Sequence, residues 1–276
     1  MKNSAGKPVI QFRVLDPTAG NQVARRVCAL AVMTKAPQAG RVKTRLVPFL
    51  TPAEAAELNK CFLRDTVTAI SVCCSGGLRP PSTVNEESHP GAQRAPLQCR
   101  PIAVYTPVGA ESAYTDILPA DFSLLPQRGD EFGERLYFAV EDLFKCGFAS
   151  VCLIDSDSPT VPAENFAEAV ELLSTSRDRV VLGPSDDGGY YLIGVKKPHR
   201  HLFEQIDWST ERVLNQTIQR VIESGLEIKL LPRGYDVDDA ASLRRLCHEL
   251  LRENAGVGIA PNTRSFLRKR AAQKQL

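Results

Sequence analysis

Ser150-Val151-Cys152-Leu153-Ile154-Asp155-Ser156-Asp157-Ser158-Pro159 is the stretch on which the fold turns. It begins as a short run with no polar face, then stops at two carboxylates and a proline. A run apolar on both sides suits a strand covered on both faces, the situation of strands in a parallel sheet. A carboxylate at the end of such a strand is exposed at the sheet rim yet rigidly held, an arrangement suited to Mg²⁺ or Mn²⁺ that also takes phosphate oxygens. The same two aspartates can also do no more than cap the turn before the next helix. D-x-D is a common spacing and gains its meaning here from the apolar run that precedes it.

The chain around this stretch alternates in the same way. Val27–Met33 (VCALAVM) is a second apolar run of strand length, followed by a loop rich in Lys, Pro and Gly to Arg41. Thr51-Pro52-Ala53-Glu54 reads as a helix start with a capping box and proline in the first turn. Leu58, Phe62 and Ile70, with Ala55, Thr66 and Ala69, mark the buried face of that helix. Strand character returns at 102–106, 179–183, 190–195 and 226–231, and helical spacing at 131–146, 162–173, 211–224 and 240–251. Strands alternating with helices predict an α/β domain with a mainly parallel sheet, whose ligands bind beyond the carboxyl ends of the strands. Residues 27–252 make that domain. The polar start, 1–26, is expected to be a disordered extension, 75–100 a surface loop insertion, and the basic 253–276 (Arg264, Arg268, Lys269, Arg270, Lys274) a solvated tail.

Three further segments fall where predicted strands end. Lys35-Ala36-Pro37-Gln38-Ala39-Gly40-Arg41-Val42-Lys43-Thr44-Arg45 supplies cations and a glycine that lets backbone approach a ligand, although it has neither P-loop nor dinucleotide-loop spacing. Ser185-Asp186-Asp187-Gly188-Gly189 reads first as a hairpin turn and second as a turn that accommodates a ligand. In Tyr235-Asp236-Val237-Asp238-Asp239 one aspartate can serve as the cap of the next helix, and the carboxylates left over favour a metal role. Trp208-Ser209-Thr210 holds the sole tryptophan, available to stack on a sugar or base or simply to pack.

Composition narrows the class. With 276 residues, 43% of them hydrophobic, the chain can bury a full core, and a net charge of +2 argues for neither nucleic acid nor an anionic membrane as main partner. No apolar stretch is long enough to span a bilayer, and the start lacks the apolar region of a secretory signal. Eight cysteines without a C-x-x-C pair predict reduced thiols and, by default, a cytoplasmic location. Cys99 is expected in a loop. The four histidines show no metal-ligand spacing.

Taken in order, K-A-P-x-A-G-x-V-K-T-R-L, F-L-x-D-T (Phe62–Thr66), R-G-D-x-F-G-E-R-L (Arg128–Leu136), D-S-P, G-P-x-D-D-G-G-Y-Y-L-I-G, W-S-T and D-V-D resemble the GT-A-like transferase family labelled domain of unknown function 2064, or radical-SAM/selenodomain-associated transferase 1. The resemblance runs from about Cys28 to Leu250, and the family is similar in turn to the 2-phospholactate guanylyltransferases and the molybdenum-cofactor nucleotidyltransferases. It implies a nucleotide-diphospho-sugar transferase fold binding a nucleotide and one divalent metal, Mg²⁺ or Mn²⁺. By that resemblance Asp157 and Asp238 would hold the metal, with Asp155 and Asp236 as further candidates. Lys43 and Arg45, with Lys35 and Gly40, would hold phosphates. Asp187, Gly188 and Gly189 would line a donor or acceptor pocket together with Trp208, Ser209 and Thr210, and Asp157, Asp187 and Lys43 would carry the chemistry. The sequence departs from the family pattern at Asp155, where relatives have a small residue, and at Asp239-Ala240-Ala241-Ser242, which replaces T-P-E-D. Three functions follow as expectations: glycosyl transfer from a nucleotide-sugar to a small acceptor, nucleotidyl transfer with release of pyrophosphate, and nucleotide binding without catalysis.

Overall fold

The computed structural model describes residues 11–23, 26–47, 49–76, 98–252 and 258–274. Its strands are β1 (Arg13–Val14), β2 (Cys28–Lys35), β3 (Cys99–Thr106), β4 (Ser123–Pro126), β5 (Ser150–Ile154), β6 (Arg179–Pro184), β7 (Tyr190–Val195) and β8 (Glu227–Leu230). They form one sheet in the order β1-β4-β3-β2-β5-β7-β6-β8. Every neighbouring pair is parallel except those of β7, which runs antiparallel to both β5 and β6. The helices are α1 (Pro52–Cys74), α2 (Phe132–Lys145), α3 (Ala163–Ser174), α4 (Val213–Glu223), α5 (Ala240–Leu251) and α6 (Pro261–Lys274). The expected α/β architecture with a mainly parallel sheet is the one observed.

β2 and β5 lie side by side at the centre, so their residues meet packed neighbours on both faces. Leu30, Val32, Cys152 and Ile154 enter one apolar cluster with Leu63, Val67 and Phe166. Ala29, Ala31, Val151 and Leu153 enter the other, with Leu136, Val140 and Leu143 of α2. That two-sided burial is the reason these segments read as uninterrupted apolar runs. The capping box at α1 forms as the sequence predicts: Thr51 N–H donates to Glu54 Oε2 at 2.7 Å and Glu54 N–H donates to Thr51 Oγ1 at 3.2 Å.

Both ends of the chain differ from expectation. Part of the polar start joins the sheet, where β1 pairs with β4 and Leu15 is buried. The basic segment expected as a solvated tail is α6, packed on α1. Its own sequence carries almost no apolar face, and its docking comes from outside it. The buried carboxylate of Asp65 on α1 accepts the N–H groups of Asn262 and Thr263, each at 2.9 Å, and so caps the helix. Cys99 is the first residue of β3 and buried, not a loop thiol. Most of the proposed insertion, 77–97, lies outside the described residues.

Candidate functional site

The cavity at the carboxyl ends of β2 and β5 has a volume of about 810 Å³. One wall is apolar, with Met33, Phe132, Leu136, Leu153, Tyr190 and Trp208, and the opposite wall is acidic. The acids come from two segments that the backbone ties together. Val237 N–H donates to Asp157 O at 3.0 Å, Gly234 N–H to Pro184 O at 2.8 Å and Asp186 N–H to Gly234 O at 3.0 Å. Held extended in this way, residues 235–238 alternate: Tyr235 and Val237 are buried, while Asp236 and Asp238 line the cavity. Asp239 is the helix cap, its Oδ1 accepting Ser242 N–H at 2.8 Å, so two carboxylates are left for the cavity. They face Asp155 and Asp157 from the end of β5.

Lys43 answers these acids from below. Its Nζ lies 2.9 Å from Asp157 Oδ1, 2.6 Å from Asp238 Oδ1 and 2.9 Å from Val237 O, and its side chain is only 3% exposed. Burial works against the charged ammonium, but the two carboxylates outweigh it and hold its pKa above the ordinary lysine value. The remaining acids are undercompensated. Removal from water, reinforced by the charge of Asp157, raises Asp155 well above the ordinary carboxylate value even though Ser158 Oγ donates to it at 2.8 Å. Burial, with the charges of Asp187 and Asp238, pushes Asp236 up to about 6.

This charge excess tests the fit of a divalent cation. Two carboxylates from separate segments converge on one cation, and that cation is an ammonium supplied by the protein. Among the described residues no three acidic, histidine or cysteine side chains are grouped as a complete metal cage. The donor set therefore fits a hard ion that takes two carboxylates and completes its shell with water and phosphate oxygens, which is how Mg²⁺ and Mn²⁺ are commonly held.

The other expected site residues divide. Arg45, Asp187, Gly189, Trp208, Ser209 and Thr210 line the cavity, whereas Lys35, Gly40, Lys43 and Gly188 are not among its lining residues. Asp186–Gly189 is the turn of the antiparallel β6–β7 pair, the hairpin that the glycines predict. Gly188 has φ +88° and lies against Glu211, whose O would be 2.2 Å from an added Cβ. Asp187 Oδ1 accepts Gly189 N–H at 2.9 Å, which fixes the carboxylate at the rim. Trp208 packs edge-to-face on Phe132 at 5.1 Å, and only a glycine at 133 leaves it room, since an added Cβ there would meet Nε1 at 2.6 Å. Phe132 and Arg245 were not among the sequence candidates. Phe132 stands within the R-G-D-x-F-G-E-R-L segment, which held the signal. Arg245 reaches the site from α5, its guanidinium 3.8 Å from the Tyr235 ring centroid and 2.6 Å from Asp186 Oδ2, and nothing in its local sequence marks it.

Comparison with known proteins bears on the family and the fold. Residues 92–210, a little under half of the chain, match the profile of the family described as an uncharacterized protein conserved in bacteria (DUF2064), as the motifs implied. No curated protein matches the chain by sequence. Among solved structures the chain is similar to a protein of Desulfovibrio desulfuricans G20 provisionally named a nucleotide-diphospho-sugar transferase, with 25% identity, 90% of this chain and 96% of that chain covered, and a TM-score of 0.71. It is also similar to a nucleotidyl transferase of Methanothermobacter thermautotrophicus, with 14% identity, 83% and 99% covered, and a TM-score of 0.50. The fold is the nucleotide-diphospho-sugar transferase fold. Among the described residues, no helix is long and apolar enough to cross a membrane.

Proposed function

We propose that this chain is a metal-dependent transferase that uses a nucleotide-activated donor, and that the reaction is glycosyl transfer from a nucleotide-sugar to a small acceptor. The observation that carries the reading is the joining of an acidic wall and an apolar wall in one cavity at the end of the central strands. Asp157 and Asp238 would hold Mg²⁺ or Mn²⁺. The chemistry such an ion would supply there is neutralisation of the negative charge that grows on the leaving group. Arg45 lines the cavity and makes no ion pair among the described residues, so its guanidinium is available to a phosphate. Asp187 is exposed at the rim, tied through one oxygen only, and can accept the proton of an attacking hydroxyl through the other. Phe132 and Trp208 give the organic part of a ligand an apolar face that also keeps water from the reacting atoms.

Nucleotidyl transfer is the second reading, favoured by the exposed Arg45 opposite the acids, a placement that serves a leaving pyrophosphate as well as a leaving nucleoside diphosphate. A product assay separates the two. Purified protein with Mn²⁺, nucleotide-sugars and small hydroxylated acceptors is expected to release nucleoside diphosphate. Pyrophosphate released from a nucleoside triphosphate would replace the first reading by the second. Asp157→Asn is expected to abolish turnover in either case while leaving the circular dichroism spectrum unchanged, and full activity in that variant would remove the metal assignment.

A further inference from the structure

The phosphate role expected of Lys43 conflicts with where its ammonium is. An ammonium has three donors and no acceptor. In the structure it donates to Asp238 Oδ1 at 2.6 Å and to the carbonyl between Asp236 and Asp238 at 2.9 Å, and it is ion-paired with Asp157 Oδ1 at 2.9 Å. Its side chain is only 3% exposed. In this state Lys43 is engaged by the carboxylates and is not among the residues that line the cavity where a phosphate would lie. It occupies the place from which a cation answers both Asp157 and Asp238.

We propose that Lys43 is a positioning residue that stands in for the divalent metal, so that metal is excluded from the free protein and enters only together with the polyphosphate that draws Lys43 away. The inference rests on the reading of Asp157 and Asp238 as the metal-holding pair.

Three observations support it beyond the contact itself. Lys43 takes one oxygen of each carboxylate, and a divalent ion on the same pair would be repelled by the ammonium at this range, so each cation weakens the hold of the other. The Lys43 backbone is left-handed, φ 49° and ψ 38°, a conformation uncommon for a non-glycine residue. Finally, the loop leaves open space beside its glycine. Gly40 has φ +73° and open space around it on one side, Leu46 is fully buried on the other, and Lys43 lies between them with Arg45 already in the cavity. A polyphosphate held by Arg45 would therefore present its oxygens two residues from the ammonium and compete with the carboxylates for it.

The consequence is a coupling between metal and nucleotide, reciprocal by linkage and of the usual size, roughly 5- to 150-fold. It is read by direct binding rather than turnover. Mn²⁺ alone, titrated into the full chain and followed by the electron paramagnetic resonance of free Mn²⁺, is expected to bind wild type at least about tenfold more weakly than Lys43→Met, which leaves the carboxylates without a counter-ion. A purely structural role for Lys43 would lower the stability of that variant without raising its Mn²⁺ affinity. In wild type, the ¹⁵N resonance of a hydrogen-bonded lysine ammonium protected from exchange should be visible in the free protein and lost when nucleoside diphosphate and Mg²⁺ are added together. This second measurement decides the matter if Lys43→Met does not fold. Equal Mn²⁺ affinity in the two proteins, or a protected ammonium that persists in the loaded protein, would overturn the inference and leave the transferase reading intact. No Mn²⁺ binding by either protein, with nucleotide present as well, would take the metal assignment down with it.

Discussion

At the scale of single residues, the site is an arrangement of charges that the protein itself only partly balances. Among the described residues Arg45 is a cavity cation without an ion-pair partner, and Arg45→Ala should weaken nucleotide binding by about tenfold or more, the worth of a charged hydrogen bond of roughly 1.5–3 kcal/mol. Isothermal titration with a nucleoside diphosphate checks this, and unchanged affinity would put the phosphates elsewhere. Glycines set the shape around those charges. Gly188→Ala combines φ +88° with a clash against the Glu211 backbone, and should cost more than about 2 kcal/mol in urea denaturation. Gly133→Ala tests a different property, since the added methyl displaces the only tryptophan of the chain from its close approach to α2. Its emission should shift while the midpoint of unfolding changes less than for Gly188→Ala. An unshifted spectrum would mean that Trp208 is not held by this contact.

At the scale of elements, α1 and α6 explain each other. The predicted buried face of α1 is there, but so are buried Asn59, Leu63, Asp65 and Val67 on its other sides. Leu63 and Val67 join the apolar cluster on the sheet, whereas Ala55, Leu58 and Phe62 pack with Leu243 and Leu246 of α5 and Leu267 of α6, so two surfaces of α1 are covered. Asp65→Ala should release that cover. It removes the acceptor of two backbone N–H groups and of the Asn262 side chain, at an expected cost of about 2–3 kcal/mol. Hydrogen exchange should then rise selectively across 261–274, and uniform exchange throughout the chain would contradict the assignment of Asp65 as the cap.

At the scale of the molecule, the parallel sheet decides what may be cut and what may not. Cys73 and Cys99 lie on α1 and β3 with their sulfurs 4.0 Å apart, so the anchors of the intervening segment are already adjacent. Halving a flexible loop changes its closure entropy by only about 0.6 kcal/mol. Replacing 77–97 by a short glycine-serine linker should therefore leave the melting temperature nearly unchanged, whereas a large fall would show that the segment is part of the fold. The cavity lies at the carboxyl ends of β2 and β5, where strands from the middle of the sheet deliver their last side chains to one rim.

The sequence alone determined the architecture, because β2 and β5 are buried on both faces and burial on both faces leaves an uninterrupted apolar run. It also marked Asp155, Asp157, Asp236 and Asp238 as candidates, since each follows an element whose end was legible, but which aspartate of the last run is the helix cap, Asp239, came from the structure. It did not reveal β4, whose four residues are too few to carry a period, nor α6, whose helicity depends on an aspartate in α1 and on no pattern of its own. Only the tertiary structure decided that Lys43 belongs to the carboxylates. The loop that carries it reads as a solvated basic turn, and an ion pair between residues 43, 157 and 238 leaves no local trace in the sequence, because it is made by the sheet bringing the ends of distant segments to one edge.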